Sequence, residues 1–93
     1  LQTLIDTNTN AYSINSGANS ITFLNVSLAT PPPGFPALAV TDFRVFINGL
    51  VAEPSAITSI TQDGANVVID FNNALNYTII QGMEITSVGK YIV

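Results

Sequence analysis

The chain contains no cysteine and no histidine. Without cysteine there is no disulfide to offset a folding cost of roughly 1.5 kcal/mol per ordered residue, so apolar burial must carry the fold. Redox compartment is unreadable for the same reason. The two absences together remove the usual general base, the thiolate nucleophile and the best transition-metal ligands. A Ser-His-Asp triad cannot be built, and a Ser-Lys pair would have to use Lys90, which no motif surrounds. No cofactor or metal is expected, and the chain reads as a non-enzyme. Tryptophan, the residue that sugar-binding platforms favour, is also absent.

Charge is scarce. Asp6, Asp42, Arg44, Glu53, Asp63, Asp70, Glu84 and Lys90 make up 9% of the 93 residues, against about 25% in ordinary soluble domains. The net charge is −4 with two cations. That supplies no basic stripe to displace counterions from nucleic acid. No apolar run approaches the length of a membrane-spanning helix, which excludes one. The first residues, LQTLIDTNTN, have neither the basic start nor the apolar stretch of a signal peptide. There is no initiator Met, and the chain reads as a processed product or a fragment of something longer.

What is present is 47% hydrophobic, with ten Asn, ten Thr and seven Ser supplying the polarity. Disordered chains are charged and poor in apolar residues, so this one is expected to fold. Its length suits a single domain, 1–93. Two readings fit the composition: a surface partly covered by partners, or a neutral, Asn/Thr-rich extracellular β domain.

Period-two runs recur every ten residues or so between Gly, Asn, Asp and Pro, and helical periodicity is missing. LQTLI (1–5) reads as an edge strand and AYSI (11–14) as a short one. In ITFLNVSL (21–28), Ile21 and Phe23 share one face and Leu24, Val26 and Leu28 the other, which predicts a bulge or a strand bending between sheets. TPPPGFP lacks the donors of a central strand, so 30–38 is a loop or arm. TDFRVFIN (41–48) is the clearest strand. Asn48-Gly49 supplies the two positive-φ residues of a type I′ turn, and LVAE returns before Pro54. AITSIT (56–61) and NVVIDF (66–71) flank Asp63-Gly64 as a second hairpin. NYTII (76–80) and MEITSVGKYIV (83–93) complete the strands, the latter with a phase change between Ile85 and Val88. Seven to nine short strands predict an antiparallel β-sandwich, immunoglobulin-like or jelly-roll-like.

Chemistry-bearing patterns are thin. Asp70 and Glu84 could pair as glycosidase carboxylates, but each alternates with apolar neighbours as a solvent-side strand residue does. DGAN (63–66) falls far short of the six to eight oxygens calcium takes, and serves better as a turn. The sequons at Asn25 and Asn76 are no more than the roughly two matches this composition yields by chance. Most aromatics are in phase with apolar neighbours and read as core. Phe46 instead shares its strand face with Arg44 and Asn48. Phe35, beside Pro36, sits in the proline loop, where it either folds back as a plug or inserts into a partner. Phe35, Pro36, Arg44 and Phe46 are the candidate protein-interface residues.

The segments Phe46-Ile47-Asn48-Gly49, Pro54, Asn66–Phe71, Gly82-Met83-Glu84-Ile85 and Tyr91 together resemble the small β-domains of tailed-bacteriophage virion proteins, found in tail fibres, appendages and head-decorating proteins. Similar segments close some bacterial spore-surface proteins. The resemblance spans residues 43–92. It implies a non-enzymatic structural subunit located in the virion, binding a capsid or tail lattice as a homo-oligomer, with a trimer favoured. The alternatives are a host-receptor or carbohydrate-binding module at a fibre tip, with a surface glycan as partner, and a bacterial surface or spore-coat domain.

Overall fold

A computed structural model describes residues 2–72 and 75–93. Among them are ten short strands: β1 (Thr3–Asp6), β2 (Tyr12–Asn15), β3 (Ser20–Phe23), β4 (Ser27–Leu28), β5 (Arg44–Ile47), β6 (Leu50–Ala52), β7 (Ser59–Asp63), β8 (Asn66–Asp70), β9 (Ile85–Gly89) and β10 (Tyr91–Ile92). Two 3-10 turns, Val40–Asp42 and Pro54–Ala56, are the only helical pieces among the described residues. The strands form one sheet in the order β1-β9-β5-β6 and another in the order β2-β3-β8-β7, every pair antiparallel. The architecture is an all-β sandwich.

Alternation explains the two layers. Ile5, Val45, Ile47 and Ile85 point inward from the first sheet, and Ile21, Phe23, Val67 and Ile69 from the second; all are buried in one core. The change of phase in 21–28 marks a real break: β3 stops at Phe23, Asn25 turns at φ 57°, and β4 resumes elsewhere. There β4 pairs with β10, the continuation of β9, so this two-stranded ribbon ties one sheet to the other.

Three expectations fail. Residues 76–80 are not a strand; Ile79 is buried, but Tyr77 and Ile80 are exposed. Their backbone is held by the Asn19 side chain, whose Oδ1 accepts from Ile79 N–H at 2.7 Å and whose Nδ2 donates to the Tyr77 carbonyl at 3.2 Å. The strand expected over 56–61 begins only at Ser59, because Pro54 starts a 3-10 turn ahead of it. No phase change occurs between Ile85 and Val88: Ser87 and Gly89 face inward and Val88 outward. Small inward residues are required here, since a Cβ on Gly89 would overlap the Phe43 ring. That ring packs on Tyr91, with centroids 5.0 Å apart. Ser87 Oγ donates to the Arg44 carbonyl at 3.0 Å and hydrogen-bonds the Tyr91 hydroxyl at 2.7 Å.

Candidate functional site

The four candidate residues fall on two surfaces. Arg44 and Phe46 lie on β5 with their side chains on the outer face, because their neighbours Val45 and Ile47 are buried inward. Pairing extends this face across the sheet. Leu4, Val88 and Arg44 share one row, and Asp6, Thr86, Phe46 and Val51 share the next. Leu4 and Val51 are 56% and 55% exposed. The outer face therefore carries four apolar side chains, with Arg44 and Asp6 at opposite corners. Among the described residues Arg44 makes no ion pair, leaving its guanidinium available.

Phe35 and Pro36 lie elsewhere, in the loop between β4 and β5. Phe35 N–H donates to the Pro32 carbonyl at 3.1 Å, closing a turn with Gly34 at φ 85°. The turn holds Phe35 outward, 68% exposed, so it does not plug the core. Phe35 and Pro36 line a cleft of about 390 Å³ with Pro31, Pro32 and Leu38, and with Asp42 and Lys90 as its charged members; neither Arg44 nor Phe46 reaches it. Lys90 Nζ and Asp42 Oδ1 are 3.1 Å apart. A hydrogen bond from Ala39 N–H at 2.7 Å, assisted by Lys90, holds the Asp42 carboxyl below its ordinary range. This carboxylate thus fixes the base of the loop that displays Phe35.

The carboxylates considered for chemistry have structural partners. Asp70 Oδ1 accepts from Asn72 N–H at 2.9 Å and Glu84 Oε2 from Asn8 Nδ2 at 3.0 Å. No cluster of three metal-ligating residues occurs among the described residues.

The sequence pattern missed two features. Tyr77, 46% exposed, borders a polar hollow of about 360 Å³ with Ser16, Asn72, Asn76 and Thr78. It also borders a second hollow, of about 470 Å³, alongside β6. There Leu50 is 77% exposed. One signal for the latter was available: consecutive apolar residues in a strand point to opposite faces, so Leu50 and Val51 could not both enter the core. No protein-family model, curated protein or solved structure matches the chain.

Proposed function

We propose that this chain is a non-enzymatic structural subunit of a phage virion, binding a capsid or tail lattice as a decoration, cement or appendage protein. The observation that carries the reading is the outer face of the β1-β9-β5-β6 sheet, where Leu4, Phe46, Val51 and Val88 form adjacent apolar rows on a sparsely charged domain. The proline loop supports it with an exposed aromatic, Phe35, where Phe46 is half-buried. That the assembly is a virion is what the resemblance of residues 43–92 implies.

Magnitudes favour a lattice over a solitary partner. Full burial of a Leu, Val or Phe side chain gains roughly 1.5–3 kcal/mol, and these four already bury part of that area. About 4 kcal/mol remains, which barely meets the cost of association. One face alone binds weakly, whereas several copies held on one particle raise the effective concentration of every contact.

The test is cosedimentation of the purified chain with particles of the virus encoded around its gene, prepared without it. Saturable binding supports the reading. Absence of binding, or a gene neighbourhood without capsid or tail genes, overturns it. Phe35→Ala should weaken binding while leaving the melting temperature nearly unchanged; a large drop in melting temperature would make Phe35 a packing residue instead.

The polar hollow beside Tyr77 favours a second reading, a carbohydrate-binding module at a fibre tip. An exposed aromatic face flanked by Asn72, Asn76, Ser16 and Thr78 offers stacking and hydrogen bonds to a sugar. A glycan array with the wild type and Tyr77→Ala tests it. Silence across bacterial polysaccharides removes this reading.

A further inference from the structure

Each sheet has two edges, and on three of the four an outward residue is engaged by another segment or by a neighbouring loop. On β1 the outward backbone of Asp6 is closed by its own loop: Asp6 N–H donates to Asn10 Oδ1 at 3.0 Å, and its carbonyl accepts from Asn10 N–H at 2.8 Å and Thr9 N–H at 3.1 Å. On β2 the outward N–H of Ile14 donates to Gln81 Oε1 at 3.2 Å. Along β7 the Gln62 side chain clamps the β4 segment, accepting from Leu28 N–H at 2.7 Å and donating to the Val26 carbonyl at 3.2 Å. Natural sheets close their edges in such ways because an open row of N–H and C=O groups templates pairing.

The β6 edge has no such guard among the described residues. Ile47 pairs with Leu50 across a two-residue turn, and Val45 with Ala52. In such a hairpin the closing pair is hydrogen-bonded, so Leu50 and Ala52 aim their backbone groups at β5 and Val51 aims its N–H and C=O outward. No charged side chain occurs on the strand, and Leu50 and Val51 are both exposed.

We propose that β6 is the seam of a two-fold dimer, in which the β6 strands of two copies pair antiparallel about Val51. The register itself selects a second copy as the occupant. Val51 meets its own image with donor against acceptor on both sides, making two backbone hydrogen bonds. Leu50 falls opposite the partner's Ala52, large against small. Leu50 shares its strand face with Ala52, so it projects toward the side where the hollow of about 470 Å³ lies against Ala52, Ala56, Leu75 and Tyr77. Glu53 falls opposite Gly49 of the partner copy, so no like charges meet across the strand pair. On the outer face, Phe46 and Val51 continue into Val51 and Phe46 of the second copy as one apolar row. The product is a continuous eight-stranded sheet.

This seam deepens the assembly reading and rests on it, but the two fail separately. Sedimentation equilibrium should show the 9.8 kDa chain doubling in mass toward about 0.1 mM, the range expected of a small interface. Val51→Lys places two cations on the axis and should weaken the dimer at least about tenfold with an unchanged melting temperature. Amide exchange at Val51 should slow as concentration rises, while Ile14 and Asp6 stay protected throughout. A wild type that stays monomeric to about 1 mM overturns the seam, as does a dimer indifferent to Val51→Lys with Val51 exchanging freely. If Val51→Lys still cosediments with the particles, the virion reading survives the loss of the seam. If the dimer forms but no particle binds it, the seam survives the loss of the virion reading.

Discussion

The hairpins β5–β6 and β7–β8 start from the same plan. Each has a two-residue turn, an inner strand buried on one face, and an outer strand at the edge of a sheet. Their tips are moored alike. Asn48 N–H donates to the Glu84 carbonyl at 2.7 Å, and Gln62 Nε2 donates to the carbonyls of Gly64 and Asn66 at 3.0 and 2.9 Å. Their edges differ. Gln62 reaches across from β7 to β4, while no hydrogen bond reaches the outward side of β6 among the described residues. Stability and association are therefore separable here: inner strands hold the fold, and one outer strand is left to pair.

The largest effects should ignore the difference between the hairpins. Ile47 on β5 and Ile69 on β8 are both buried in the shared core, 3% and 0% exposed. Ile47→Ala and Ile69→Ala should each cost about 3 kcal/mol in urea unfolding, because each opens a cavity in the shared core. Costs differing by more than about 2 kcal/mol would mean that one hairpin, not the pair, carries the fold.

Alkaline pH should separate them. Burial pushes the Tyr91 hydroxyl from 10.0 up to about 12. Between those values the unfolded chain has lost the proton and the folded chain keeps it, so stability falls as pH rises, by about 1.4 kcal/mol per pH unit. The full contribution is present below pH 10 and is lost by about pH 12. Tyr91 reaches β5 through Ser87 and the Arg44 carbonyl, so amide exchange should quicken on β5 and β9 before β8. Tyr91→Phe should flatten melting temperature across this window; a slope unchanged in that variant would assign the titration elsewhere.

Removing the guard should weaken one hairpin only. Gln62→Ala leaves the Leu28 N–H and the Val26 carbonyl without their partner, at a cost of about 1–2 kcal/mol. It also opens β7 as β6 is open, so the variant should gain self-association that the β7 edge lacks in the wild type. Light scattering together with urea unfolding reads both consequences.

How much of this the sequence showed follows from the range of the interactions. Asn48-Gly49 announces its turn locally, and φ values of 51° and 85° confirm it. The break in 21–28 was legible as a change of alternation, and so was the outward placement of Phe46 opposite Val45 and Ile47. Residues 76–80 alternate as a strand does, yet their backbone partner is Asn19, about sixty positions away, and no local pattern encodes that. The unbroken alternation from Ile85 to Gly89 is hidden for a related reason, which concerns Ser87 and Gly89. Their inward direction depends on the Phe43 ring and the Tyr91 hydroxyl, which the fold alone brings to them. Edge guards belong to the same class: Gln62 and Gln81 look like ordinary surface amides until strand order places a rim beneath them.

The smallest effect tests the tips. Asn48 serves its turn twice, through a positive φ and through Oδ1, which accepts from Glu84 N–H at 3.0 Å. Asn48→Gly keeps the first role and deletes the second. The bond is exposed, so water replaces it at a cost of about 0.5 kcal/mol. The backbone bond from Asn48 N–H to Glu84 remains, and β6 keeps its register. The variant should therefore melt slightly lower and self-associate as the wild type does. If Asn48→Gly abolished self-association with melting temperature nearly intact, the direction of β6 would depend on the Asn48 side chain, and the open edge would be a property of the tip before it was one of the strand.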